Sequence, residues 1–213
     1  ISGNAVWVNG LFGKCLDFDG TNGYVYSGTI SPALSAAAGT IECWFNKDIS
    51  KTAGLVAGVG GTGNRPLIYL ANGKIQAHWA GTTGMSAGSG QYTDAYTIDI
   101  STWHYVVFVW SGSSYWLYVD GQLRETSTLC TFTAPSTTFD IGRYSGGNYH
   151  DGKIDEVRIL NRALTAAEVQ NNYSGGQWTG ATVVSAPPAP GTPGAQQSKT
   201  VAGLTCGTTY YFA

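Results

Sequence analysis

Gly152-Lys153-Ile154-Asp155-Glu156-Val157-Arg158-Ile159-Leu160-Asn161-Arg162-Ala163-Leu164-Thr165-Ala166-Ala167-Glu168-Val169 is a strand that runs directly into a capped helix. Lys153–Leu160 carries the β-branched and apolar residues that favour a strand. Thr165-Ala166-Ala167-Glu168 then has the form of a capping box. The Thr165 hydroxyl accepts from the third amide of the helix, and the Glu168 side chain reaches back to the amide of Thr165. Leu164 and Val169 occupy the two positions of a hydrophobic staple. The helix is short and ends near Tyr173, before Gly175-Gly176.

Upstream of this stretch the chain is a string of short strands. Gly-, Ser-, Thr- and Asn-rich turns separate them, as in a sandwich or jelly roll. The predicted strands are Val6–Val8, Lys14–Phe18, Tyr24–Tyr26, Thr40–Asn46, Leu55–Val59, Leu67–Leu70, Lys74–Trp79, Trp103–Trp110, Tyr115–Val119 and Thr138–Arg143. Thr40–Asn46 alternates, with Ile41, Cys43 and Phe45 on one face and Glu42 and Trp44 on the other. Trp103–Trp110 is almost continuously apolar, which predicts a strand buried on both faces. Asn72-Gly73 and Asp120-Gly121 are hairpin turn pairs. The fold class that follows is all-β: a two-sheet antiparallel jelly-roll sandwich with one short C-terminal helix.

Three segments divide the 213 residues. Residues 1–175 form the jelly-roll domain, 176–198 a Gly/Pro-rich linker, and 199–213 a β-strand tail. Ala186-Pro187-Pro188-Ala189-Pro190-Gly191-Thr192-Pro193-Gly194 has a semi-rigid linker composition. The tail is too short to fold alone.

Composition narrows the function classes. Charged residues are 11% of the chain, against about 25% in an average globular domain. A hydroxyl-rich rather than ionic surface suits a secreted or cell-surface β-protein. The net charge of −2 and the lack of a basic stripe argue against nucleic acid as a partner. No apolar run approaches the roughly 20 residues of a membrane span. Cys15, Cys43, Cys130 and Cys206 form no CxxC pair, which argues against zinc. They read either as disulfide partners or as small buried hydrophobes.

The motifs together resemble the laminin-G-like (concanavalin A-like) jelly-roll family. The stretches that carry the likeness are Gly10–Val25, Thr40–Phe45, Trp103–Trp110, Tyr118–Leu123, Phe139–Arg143 and Gly152–Val169. They stand in the family's order over roughly residues 10–173. The resemblance implies an additional strand upstream of Ser2–Trp7, so an edge is expected to stand unfilled. The tail sequence Gly203–Ala213 resembles the late strands of a fibronectin type III domain. Unpaired edges attract strands, so self-association through an edge strand or the tail is one expectation.

The resemblance also implies a structural calcium ion, Ca2+, held between Asp19, the Asn22 region and Asp155. Calcium takes six to eight oxygens, and a Gly/Asn-rich turn offers carbonyls. The alternative is that Asp19 caps its own turn and that Asp155 pairs with a neighbouring strand or Arg158. The same fold hosts glucanases, whose carboxylates alternate on one strand as Glu-x-Asp-x-(x)-Glu. No such run exists here, and Glu42 is alone on its strand. A retaining glycosidase needs two carboxyl groups about 5–5.5 Å apart. No nucleophile elbow is present, and His104 reads as a hydrogen-bonded core residue. Gly58–Gly63 lacks the following helix of a dinucleotide loop. No catalytic residue is therefore assigned.

Aromatic residues in loops are the remaining signal. Sugars present apolar C–H faces ringed by hydroxyls, which aromatic rings and polar neighbours complement. The ligand-binding candidates are Trp79, Tyr92, Tyr144, Asn148, Tyr149 and His150, with Tyr144, Tyr149 and Trp79 leading. Arg65, His78, Gln91, Tyr96 and Asp151 are further candidates in the loops. The loop Tyr144–Asp151 joins flexible glycines to two tyrosines, and loops on rigid scaffolds commonly carry function. Asn172-Tyr173-Ser174 is a formal glycosylation sequon, relevant in a eukaryotic source. The expected function is a non-catalytic extracellular recognition module for a glycan or cell-surface protein. The alternative is a structural subunit of a stalk or filament assembled by strand exchange.

Overall fold

The computed structural model of the chain describes residues 1–31, 33–59, 65–79, 82–83, 85, 93, 95–144 and 146–175. The expected linker and tail lie outside the described residues, and so does Tyr92. The strands, in chain order, are β1 (Val6–Asn9), β2 (Lys14–Asp19), β3 (Val25–Thr29), β4 (Ala38–Lys47) and β5 (Ala53–Gly58). Next come β6 (Pro66–Ala71), β7 (Lys74–Trp79), β8 (Tyr96–Thr97), β9 (Trp103–Ser111) and β10 (Ser114–Val119). The last are β11 (Gln122–Ser127), β12 (Thr138–Ile141), β13 (Arg143–Tyr144), β14 (Asn148–Tyr149) and β15 (Asp151–Leu160). The helix α1 spans Ala166–Tyr173.

Two antiparallel sheets face each other. The first has seven strands in the order β1-β2-β15-β4-β9-β10-β11. The second has six, in the order β3-β12-β5-β6-β7-β8. A small hairpin pairs β13 with β14. Alternation sorts the side chains as the sequence predicts. Ile41, Cys43 and Phe45 enter the core between the sheets. There they meet Val56, Ile68, Ile75 and Phe139 of the second sheet. Each such fully buried side chain contributes about 1.5–3 kcal/mol. Among the described residues, Cys15, Cys43 and Cys130 are buried thiols that form no disulfide with one another. Burial, the largest cause in each case, raises their pKa and leaves them unreactive.

Turn chemistry fixes the hairpins. Asn72 and Gly73 both have positive φ, 51° and 79°, as do Asp120 and Gly121 at 53° and 73°. Two left-handed residues in succession give the tight turn whose twist matches its strands. Trp103–Ser111 is buried on both faces: Val106, Phe108 and Trp110 lie in the core, and Tyr105, Val107 and Val109 lie outside it.

That outer layer is roofed by α1. Leu164 and Val169 pack with Trp44, Tyr105, Val107 and Val109. The capping box forms: the Glu168 amide donates to Thr165 Oγ1 at 3.2 Å, and the Thr165 amide donates to Glu168 Oε2 at 2.8 Å. Beneath the roof Glu42 is fully buried. It accepts from the Tyr105 hydroxyl, pairs with Arg158 and meets Asn172 Nδ2 at 3.5 Å.

The predicted strand Lys153–Leu160 carries one irregularity the pattern did not indicate. Asp155 lies opposite Trp44 and Arg158 opposite Glu42, so three steps on β15 match two on β4. Glu156 takes up the extra residue with φ of 48°. This bulge keeps Asp155 and Arg158 on the same outer face.

Candidate functional site

With the middle of the seven-stranded sheet roofed, the outer face of the six-stranded sheet is the face that can receive a ligand. Register aligns one row across it: Tyr26 on β3, Asp140 on β12, Ala57 on β5, Leu67 on β6 and His78 on β7. Alternation produces this row. Phe139 points into the core, so Asp140 points outward. Ala57, Leu67 and Tyr69 form a small apolar cluster on this face, with Tyr144 packed against it.

The β13–β14 hairpin crosses the same face. It approaches so closely at Gly54 that a Cβ there would stand 2.3 Å from the Arg143 carbonyl carbon. Only glycine tolerates that approach. The crossing sets Arg143 beside Asp140, with its Nε and Nη2 donating to Asp140 Oδ2 at 2.9 and 2.7 Å. The guanidinium carbon stands over the Tyr24 ring, 3.5 Å from its centroid, and the group also bonds Tyr149. Burial works against its charge, but the bonds to Asp140 and Tyr149 outweigh it and push its pKa up. Tyr24 and Tyr149 are 6.4 Å apart, so Arg143 is held among rings.

Beyond Arg143 the face continues through Tyr144, whose ring lies 5.7 Å from Tyr69 and 6.0 Å from the Arg65 guanidinium. The Tyr69 hydroxyl donates to Gln76 Oε1 at 2.6 Å, and Gln76 Nε2 donates to the Thr93 carbonyl. Asp140 Oδ1 and Arg65 Nε are among the buried atoms without a hydrogen-bond partner. Asp140 is only 4% exposed. A buried carboxylate oxygen left unbonded costs about 1–3 kcal/mol or more.

The predicted ligand residues divide. Tyr144, Asn148 and Tyr149 come together on the hairpin, half-buried. Trp79 requires correction. It has no exposed surface and packs in the core against Trp110, 4.9 Å away, and Phe132, also at 4.9 Å. A ring with no free face is not a platform. Alternation on β7 sends Trp79 inward and His78 outward. His150 is likewise fully buried, its Nε2 bonded to the Asn46 carbonyl at 3.0 Å. Among the other aromatics, Tyr96 stacks under Arg124 at 4.3 Å on the far edge strand β8. The prediction missed Asp140, Arg143, Tyr24 and Tyr69. A signal for Asp140 was available in Phe139-Asp140-Ile141, where alternation places the Asp on the outer face.

The residues named for calcium do not fit one ion. Asp19 Oδ1 accepts the amides of Thr21, Asn22 and Gly23 at 3.0, 3.1 and 3.1 Å. Its Oδ2 accepts Asn4 Nδ2 at 2.9 Å, and Asn22 Oδ1 takes the Asn4 amide at 2.9 Å. These bonds, led by the Thr21 amide, hold the Asp19 carboxyl well below the usual carboxylate range. Asp155 is elsewhere. Asp19 pairs with Asp151, while Ile154 already pairs with Leu16. Four residues of strand separate Asp155 from Asp151, a distance of about 13 Å. The Asp155 Oδ2 accepts the amides of Leu11 and Phe12 at 2.9 and 3.0 Å and pins their loop. Among the described residues no group of three or more His, Cys, Asp or Glu side chains is placed to hold a metal.

The acid–base candidates are also engaged elsewhere. His104 Nδ1 meets Asp120 Oδ2 at 2.9 Å and is nearly buried, as a structural histidine would be. Glu42 is sealed under α1, and burial raises its pKa despite the opposing Arg158 charge. The row through Asp140 holds no second carboxylate.

Residues 19–170 match the family described as the concanavalin A-like lectin/glucanases superfamily. No curated protein matches the chain. Among solved structures, domain 4 of AbnA, a GH43 extracellular arabinanase from Geobacillus stearothermophilus, in complex with arabinotriose, superposes with a TM-score of 0.62 at 16% identity, covering 80% of this chain and 81% of that one. The receptor-binding domain of botulinum neurotoxin D gives 0.60 at 13% identity, over 83% of this chain and 47% of that one. The binding domain of Paraclostridial Mosquitocidal Protein 1 gives 0.59 at 14% identity, over 82% and 46%. The chain thus spans about half the length of either toxin domain. Identities this low establish the shared fold alone.

Proposed function

We infer a function from one premise: the chain belongs to the concanavalin A-like lectin/glucanases superfamily. Within it, this domain is a non-catalytic recognition module that binds glycans on the outer face of its six-stranded sheet, in a secreted or surface-displayed protein. One observation carries the reading. The half-buried ring of Tyr144 packs against the apolar cluster of Ala57, Leu67 and Tyr69 on that face, 6.0 Å from the Arg65 guanidinium. A sugar complements such a surface, with a C–H face for the ring and hydroxyls for its polar neighbours. The neighbouring arabinanase domain was solved with arabinotriose, and the toxin neighbours are receptor-binding or binding domains. Both kinds of neighbour agree with a binding role. No helix among the described residues is long and apolar enough to cross a membrane.

The non-catalytic part of the reading rests on the carboxylates. Glycoside hydrolysis uses an acid and a second carboxylate across the scissile bond, and Asp140 has no such companion in its row. The test is a glycan array probed with the full chain, alongside Tyr144→Ala and an assay for new reducing ends. Retention on a defined glycan, at least tenfold weaker for Tyr144→Ala and without product release, is expected. Product release, or binding indifferent to Tyr144, would overturn the reading.

A second reading has its own observation. Trp7 is 62% exposed on the edge strand β1, beside an exposed Val6. Such an edge favours strand addition from another copy. Light scattering on the full chain, on Trp7→Lys and on a chain ending at Gly176 tests it. Monomers throughout would dismiss assembly.

A further inference from the structure

The two large sheets end in β1 and β11, and in β3 and β8. Three of these four edges are guarded. β11 carries Arg124 and Glu125, and its register is broken where Leu117 faces Glu125 and Tyr118 faces Leu123. On β3 a second shift sets three steps, Tyr26 to Thr29, against two on β12. β8 has only two residues. Charges, bulges and short length are the means by which sheets turn other strands away. β1 has no charge, proline or register shift over Val6–Asn9. Trp7 is 62% exposed there and Val6 53%.

Backbone direction fixes how a strand adds to this edge. The Gly10 amide donates to the Gly13 carbonyl at 2.9 Å and closes the β1–β2 hairpin. Bonded and unbonded pairs alternate from there, so Val8 with Cys15 and Val6 with Asp17 exchange the ladder bonds. Trp7 and Asn9 therefore turn their N–H and C=O groups to the open side. The strand also reads Val6-Trp7-Val8, the same in both directions. We propose that β1 pairs antiparallel with β1 of a second copy of this chain, about a two-fold axis at Trp7. Trp7 then exchanges both backbone bonds with the partner's Trp7, and Val6 lies opposite the partner's Val8. The contact uses the same patch on both copies, so it closes on a dimer and does not propagate into a filament. Trp7 stands opposite the core residue Leu16, on the inner face of its sheet. The axis is perpendicular to that sheet, so both six-stranded sheets lie on one side of the joined one. Their outer faces then point the same way, an arrangement suited to holding a surface at two points. This inference rests on the assembly reading and commits it to one edge, one register and two copies.

Sedimentation equilibrium on the full chain tests the stoichiometry. Four residues of strand make a small contact, and small contacts are weak, so the run covers about 1 to 500 μM. A monomer–dimer equilibrium is expected. Trp7→Lys sets two like charges across the axis and is expected to stay monomeric throughout, with an unchanged melting temperature because Trp7 is exposed. Cross-linking tests the register. Only residue 7 meets its own copy, at about 5.5 Å between Cα atoms, which a disulfide spans. Asn9 lies four residue steps from the partner's Asn9, about 13 Å. Under mild oxidation Trp7→Cys is therefore expected to form a linked dimer well above the level of the natural chain, and Asn9→Cys is not. A natural chain that is monomeric at the highest concentration overturns both this inference and the assembly reading. Species larger than a dimer, a dimer that survives Trp7→Lys, or equal cross-linking from position 9 overturn the two-fold pairing and leave assembly by another route.

Discussion

His150 shows at the residue scale how a side chain picked out for binding is used instead by the fold. Its loop is rich in glycine and tyrosine, and that composition does not reveal depth. The structure buries it fully and bonds it to the Asn46 carbonyl. Burial, the dominant cause, lowers its pKa to about 4, against the opposing effect of its backbone bonds. An unfolded histidine titrates near 6.5. Above that pH both states are neutral and the stability is whole. As pH falls from about 6.5 to about 4, the unfolded chain takes up a proton that the folded one refuses, so stability is lost. The full loss is about 3 kcal/mol at 1.36 kcal/mol per unit. Denaturant melts at pH 7, 5.5 and 4 are expected to show a decline that His150→Gln largely removes. Asp19 and Glu168 are both depressed carboxylates, Glu168 to about 2 through Arg162, so each begins to lose its contribution near pH 4, equally in the natural chain and the variant. Parallel declines in the natural chain and the variant would show that His150 is not the responsive group.

At the scale of the element, much was legible. Period-two patterning located eleven of the strands because apolar side chains on one face must meet a core. The turn pairs Asn72-Gly73 and Asp120-Gly121 needed only their own chemistry. The helix was readable to its last residue, since Thr165, Glu168, Leu164 and Val169 are local signals that act on one another. Short or irregular pieces were not legible. β8, β13 and β14 have two residues each, too few for a period. β11 is mostly exposed and polar, so alternation does not mark it. The bulge at Glu156 is a response to β4, which only pairing reveals. The helix offers the clean test. Thr165→Ala removes the Oγ1 acceptor of the Glu168 amide, for a loss of about 1 kcal/mol. It also loosens the roof over Trp44 and Tyr105, both in the stacked set with Tyr173. Chemical denaturation is expected to show an unchanged slope and a lower midpoint. A cost near zero would mean that packing of Leu164 and Val169 alone seats the helix.

For the whole molecule, the position of the site follows from which sheet face is left open, and no local stretch of sequence contains that. Glu42 and Arg158 are 116 residues apart in number yet form one buried pair under α1. Asp140, Ala57 and Leu67 reach one row from three strands. The same long-range register separates Asp19 from Asp155, and this has a thermodynamic consequence. An ion bound only by the folded state stabilises it by an amount that grows with concentration, about 2.7 kcal/mol at one hundred times its dissociation constant. Such an ion would raise the melting temperature in millimolar calcium over that in chelator. Here the work of stitching the early strand to the late one is done by protein donors. The Asp19 carboxylate is filled by three amides and Asn4, and Asp155 holds the amides of Leu11 and Phe12. The melting temperature is therefore expected to be the same, within about 1 °C by the usual scaling of stability to temperature, in 5 mM calcium and in excess chelator (about a hundredfold above a 50 μM site). A rise of several degrees with calcium would show that these carboxylates exchange their amide partners for an ion, and that the register separating them yields when the metal binds.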